Sequence, residues 1–115
     1  MTQVVLDLES ALDRMDQDMD LFFELVDIFF TDYDATLANL KSAVAKEDLA
    51  LVEATAHSLK SALGNLSAQQ SYSIAAELEY AGRDNKPEKF TNLLSELELA
   101  VSKFKDTVEK HRKTQ

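Results

Sequence analysis

The chain has 115 residues, 45% of them hydrophobic and 29% charged, which excludes a disordered chain and is enough for one domain burying roughly two-thirds of its unfolded surface. Two glycines and one proline are too few for the turns of a β-sandwich or barrel and point to a few long helices. The net charge of −9 and the lack of cysteine argue against binding to nucleic acid or an anionic membrane, rule out disulfide or thiolate chemistry, and are compatible with a reducing cytoplasm.

The predicted elements are helical throughout. A short helix is expected over about 8–15, with Asp7 as N-cap. A long helix is expected over about 18–45, where Phe22, Leu25, Val26, Phe29, Tyr33, Leu37, Leu40 and Val44 form one stripe. The next is expected over about 46–66, with Val52, Ala56, Leu59, Leu63 and Leu66 in strict 4-3-4-3 spacing. A weaker stripe, Ile74, Leu78 and Ala81, marks a helix over about 68–83. Gly82 and the polar stretch after it read as punctuation, and Pro87 suits a helix start because the first turn leaves its missing N–H without consequence. The last helix, over about 87–110, carries Phe90, Leu93, Leu94, Leu97, Val101, Phe104 and Val108 on one face, and the polar tail after it is expected to fray. Short connections make successive helices antiparallel neighbours. The expected fold is therefore all-α: an up-and-down four-helix bundle over about 18–110 with a short extra N-terminal helix, the whole chain forming one domain.

His57 is one of only two histidines. At about 100° per residue it lies roughly 140° from the centre of the Val52–Leu66 stripe, so it faces solvent. Lys60, Ser61 and Gly64 follow it at i+3, i+4 and i+7 on the same face. Ser58, Ser61 and Gly64 are small and let a macromolecule approach closely. A neutral imidazole has a nitrogen lone pair that can attack phosphorus, and an ammonium one turn along can compensate the charge of a phosphoryl group. An exposed helical histidine is nevertheless ordinarily just a surface residue, and periodicity alone does not separate the two readings.

AHSLKSALGNLSA followed by AAELEYAGR resembles the histidine-containing phosphotransfer (HPt) domains of multistep two-component signalling. Their motif is alanine, histidine, any residue, leucine, lysine and glycine, with a leucine–glutamate pair one helix later. The upstream segment resembles the family's first two helices, so the likeness covers nearly the whole chain. It implies that His57 is the phosphoacceptor, that Lys60 stabilises the phosphoryl group, and that Ser58, Ser61 and Gly64 leave access. Leu78 and Glu79 match the later pair, and Glu79 is a candidate contact for the imidazole. The family's glycine one turn after the histidine is Ser61 here, and its second glycine is Ala68. The resemblance implies a cytoplasmic, monomeric phosphoryl carrier, not an enzyme of its own. Its partners would be response-regulator receiver domains, which supply Mg2+ and the aspartate, and a sensor histidine kinase, of hybrid type. The rival reading is a non-catalytic four-helix adaptor indifferent to His57.

Other features carry two readings each. Met15, Met19 and Phe22 lie near the expected entrance to the His57 face and are candidates for partner docking, although MDQDMD is equally a plain connection. Phe23 and Phe30 belong either under the short helix or against the last helix, or on a docking surface. Arg83 either caps helix carbonyls or assists docking to an acidic receiver. The aspartates at 16, 18, 20 and 27 lack the glycine and terminal glutamate of a calcium loop, and two distant histidines without cysteine make no zinc site, so no metal is expected.

Overall fold

The computed structural model describes residues 4–114. It contains α1 (Leu8–Arg14), α2 (Met19–Ala45), α3 (Leu49–Asn65), α4 (Gln69–Arg83), a 3-10 turn (Pro87–Lys89) and α5 (Phe90–Lys113). Asp7, Asp18 and Asp48 cap α1, α2 and α3. Each carboxylate accepts from the backbone N–H three residues on, at 3.1, 3.0 and 3.1 Å, which satisfies a donor the first turn leaves open. The connections reverse the chain without glycine. Asp16, Gln17, Glu47, Ser67 and Asn85 all take positive φ, between 50° and 65°, in the left-handed region that usually ends a helix on glycine.

Helices α2 to α5 pack in a closed cycle, α2 on α3, α3 on α4, α4 on α5 and α5 back on α2. Paired contacts show the directions. Lys41 meets Glu98, Phe30 stacks on Phe104 at 6.4 Å between ring centroids, and Asp27 meets Arg112, so α2 and α5 run antiparallel. Phe22, Val26, Leu40, Val52, Leu63, Leu78, Leu97, Phe104 and Val108 fill the interior, drawn from all four long helices. Helix α1 closes one end: Ala11 and Met15 are buried, and the Asp7 N–H donates to the Ser67 carbonyl at 2.9 Å.

Three expectations change. The second long segment starts at Leu49 rather than near 46, because Lys46, Glu47 and Asp48 form the turn and its cap. The tail does not fray at 110: α5 continues to Lys113, where Arg112 pairs with Asp27 at 2.9 Å and stacks over Phe23 at 4.7 Å. Lys110, His111, Arg112 and Lys113 also place positive charge at the helix C-terminus, where the aligned peptide dipoles favour it. Phe23 and Phe30 therefore pack under Arg112 and against Phe104 rather than forming a docking surface.

Gly82 is the third change. It lies inside α4, buried against α3, and a Cβ there would sit 2.9 Å from the Glu53 nitrogen and 2.9 Å from the Leu49 carbonyl oxygen. Both are helix backbone and cannot swing aside. Gly82→Ala should therefore lose about 1–3 kcal/mol through overpacking, although alanine in an open helix would gain about 1 kcal/mol. Denaturant unfolding of the two proteins checks the sign, and equal or greater stability in the variant would contradict the close approach.

Candidate phosphoacceptor site

The Gly82 contact sets how α4 lies along α3. Gly82 touches the first turn of α3, Glu79 faces His57, and Tyr72 lies against Gly64. Moving back along one helix moves forward along the other, so the two are antiparallel in one continuous register. His57 stands on the outward side of α3 with its side chain 58% exposed. Its Nδ1 lies 2.9 Å from Glu79 Oε2, and Lys60 Nζ lies 2.7 Å from Glu79 Oε1. The carboxylate thus bridges the two, and it is largely covered, as is Lys60: their side chains are 12% and 17% exposed.

Burial by itself pushes the Glu79 carboxyl up; the contacts from Lys60 and His57 outweigh it and hold the group below the usual carboxylate range. The same contact with Glu79 raises Lys60, against the opposing effect of desolvation. An ionised carboxylate can only accept hydrogen bonds, so the 2.9 Å contact requires the proton to be on Nδ1. In the neutral ring the lone pair is then on Nε2, on the side away from Glu79.

The expected His57 face is largely present. His57, Lys60, Ser61 and Gly64 line one shallow depression, with Tyr72 from α4 and Arg14 from α1. Ser61 is exposed and leaves the ring approachable. At Gly64 a Cβ would meet Tyr72 Cδ2 at 3.0 Å and Cε2 at 3.1 Å, one edge of an exposed ring that can move. Ser58 turns the other way, into an apolar groove between α2 and α3 with Leu25, Ile28, Phe29 and Ala62. Arg14 is the residue sequence reasoning missed. Its Nη1 donates to the Gly64 carbonyl at 3.1 Å across 50 residues of chain, and no local pattern signals such a contact.

The docking candidates near the first connection are corrected. Phe22 and Met15 are buried in the core cluster, and Met19 is half-buried against it. Burial leaves Met15 and Phe22 unable to meet a partner. Arg83 remains exposed at the end of α4, paired with Asp84 at 3.2 Å and stacked over Tyr80 at 4.6 Å. Among the described residues no three His, Cys, Asp or Glu side chains gather as metal ligands, and no helix is long and apolar enough to cross a membrane.

The Glu79 contacts make a pH prediction with a definite sign. A carboxyl lowered by folding stabilises the fold above its ordinary value of 4.5, and that contribution is lost as pH falls through the lower folded value. Glu79→Gln should therefore be less stable than the parent at pH 7, and the two should converge as the pH is lowered well below 4.5. Urea midpoints across a pH series check this, and a gap that is independent of pH would contradict it.

The comparisons with known proteins bear on the family. Neither the curated proteins nor the solved structures provide a match. The family model described as Hpt domain matches residues 24–107, which includes α3 and α4 whole and most of α2 and α5. The chain belongs to the Hpt domain family, the phosphotransfer carriers of two-component signalling.

Proposed function

We propose that His57 accepts a phosphoryl group from a receiver-domain aspartate or a sensor kinase and passes it to the aspartate of a response regulator. The observation that carries this reading is the His57–Glu79 contact at 2.9 Å on an otherwise exposed ring. It fixes the proton on Nδ1 and leaves Nε2 as the nucleophile. The Nε2 lone pair forms the N–P bond while the P–O bond to the donor aspartate breaks, its electron pair leaving on the carboxylate. Phosphoryl transfer asks mainly for positioning and charge compensation, and the site supplies both. Glu79 orients the ring, and Lys60 neutralises Glu79 so that a second negative group can come near. Mg2+ and the aspartate belong to the receiver, so this chain is a carrier and not an enzyme by itself.

Ser61 and Gly64 leave room for the receiver around the ring. The apolar groove beside Ser58, lined by Leu25, Ile28 and Ala62, offers it a contact surface next to the nucleophile. Arg83, on the same helix as Glu79, is suited to its acidic rim. The carrier acts as a monomer in the cytoplasm.

The test is transfer from phosphorylated receivers in the presence of Mg2+. The parent should acquire a label that is lost in acid and survives alkali, and His57→Gln should acquire none while unfolding at nearly the same temperature, since the ring is outside the core. Lys60→Ala should still accept the group, on the order of tenfold to a hundredfold more slowly, the effect expected from losing one charge-assisted contact worth about 1.5–3 kcal/mol. Label in His57→Gln, or no label in the parent with a broad panel of donors, would overturn the assignment, the latter in favour of a non-catalytic adaptor.

A further inference from the structure

We infer that the receiver extends over α1 as well as over the ring, and that Arg14 is the docking residue that meets its acidic site. This rests on the reading of His57 as the phosphoacceptor and concerns which side of the ring the receiver covers. The two sides differ in charge. Toward the end of α3, the depression that His57 shares with Lys60 and Arg14 is lined by no Asp or Glu, and the rest of its wall is neutral, with hydroxyl and amide groups from Ser10, Ser61, Asn65 and Gln69. Toward the start of α3, His57 lies in a second hollow with Ala50, Ala54 and two carboxylates, Glu53 and Glu79. A hollow without carboxylates stands out in a chain with 21 acidic residues and a net charge of −9. The carboxylates nearest in sequence to Arg14 are turned to other uses. Asp7 accepts from the Ser10 N–H and the Gln69 side chain, Asp13 accepts from Gln17, and neither they nor Glu9 line the depression.

Arg14 differs from the other cations around the ring. Lys60 is paired with Glu79 at 2.7 Å and Arg83 with Asp84 at 3.2 Å. Among the described residues Arg14 forms no ion pair, and its hydrogen bond goes to the neutral Gly64 carbonyl at 3.1 Å. That carbonyl belongs to the last turn of α3, the end of the peptide dipole that favours a cation. A guanidinium carries five N–H donors in a planar fork, so one bond to the carbonyl leaves others for a partner. Helix α1 is itself fastened beside the site, since the Asp7 N–H donates to the Ser67 carbonyl and the Gln70 N–H to the Val4 carbonyl. Gly64 lies seven residues beyond His57, roughly 10 Å along the helix. Held there, Arg14 does not reach a group on the His57 ring and acts on the partner instead.

The chemistry of the partner decides the side. A receiver presents the aspartate that exchanges the phosphoryl group and the carboxylates that hold Mg2+. An acidic carrier repels such a surface except where its own carboxylates are missing. Complementary charge at the rim of an interface steers the encounter and fixes its orientation. The Arg14 side therefore attracts the receiver, and the Glu53 side does not.

The experiment times the loading of His57 by a phosphorylated receiver domain with Mg2+, at varied receiver concentration, for the parent, Arg14→Gln, Arg14→Lys and Lys103→Gln. Lys103 is an exposed cation on α5, the helix across the bundle from α3. At low salt, Arg14→Gln should need about threefold to tenfold more receiver for half the maximal rate, the loss falling on that concentration rather than on the maximal rate. The gap should narrow as salt rises from about 0.01 M to about 1 M, because the screening length falls from about 30 Å to about 3 Å. Arg14→Lys and Lys103→Gln should stay close to the parent. Asn65→Lys puts a new cation on the wall of the same depression. Added to Arg14→Gln, it should restore most of the loss without remaking the hydrogen bond to Gly64, which a merely structural role for Arg14 would not allow. A loss in Arg14→Gln no greater than that in Lys103→Gln, or one that neither lysine reverses, would overturn the proposal and leave the carrier function standing. A parent that takes no label on His57 would overturn both.

Discussion

The approach of α4 to α3 at Gly82 is the constraint on which the site depends. With no side chain at that position, the two helix backbones meet at the first turn of α3. An antiparallel pair fixed at one end has little freedom further along. Glu79 then falls opposite His57, and Tyr72 opposite Gly64. The packing of one helix pair thus becomes the chemistry of one imidazole nitrogen. The aspartate caps and the short glycine-free turns serve the same end, since they bring α3 and α4 back on each other after three residues of connection.

The site joins exposure with order. A ring that must be reached by another protein cannot be buried, and an exposed side chain ordinarily has several rotamers to choose among. Here the order comes from underneath. The covered Glu79 carboxylate grips the inner nitrogen, Lys60 holds the carboxylate, and Tyr80 lies within reach of both Lys60 and Arg83. A carboxylate beside a phosphoacceptor would by itself repel the incoming group. The ammonium at 2.7 Å already pairs that negative charge, which under the proposed function would ease the approach of a phosphoryl group. In the proposed carrier role Lys60 would therefore act on the phosphoryl group largely through Glu79, where the sequence alone suggests a direct contact.

Much of this was legible in the chain itself. The four apolar stripes predict the long helices, and the three aspartate caps fall where short-range chemistry can place them, although only that of Asp7 was read as one. The outward direction of His57 follows from the 4-3-4-3 spacing around it. What could not be read depends on contacts between helices. Gly82 looks like a helix end because glycine commonly is one, and only the neighbouring backbone shows that it is a point of close approach. The true ends at Glu47, Ser67 and Asn85 carry no glycine, so composition does not mark them. Met15 sits beside a polar connection and looks available but is buried, and Phe22 follows the apolar stripe it belongs to into the core. Arg112 anchors a tail that reads as polar and free, through an ion pair 85 residues away in sequence.

The proton on Nδ1 is the point where fold and function meet, and it can be observed directly. Long-range 1H–15N correlation of the His57 ring in the unphosphorylated protein, at a pH where the ring is neutral, distinguishes the protonated nitrogen from the one with a free lone pair. The account predicts a proton on Nδ1 and a lone pair on Nε2. A ring protonated on Nε2 would mean that Glu79 does not hold it as the 2.9 Å contact requires, and the outward-facing nucleophile would be lost with it.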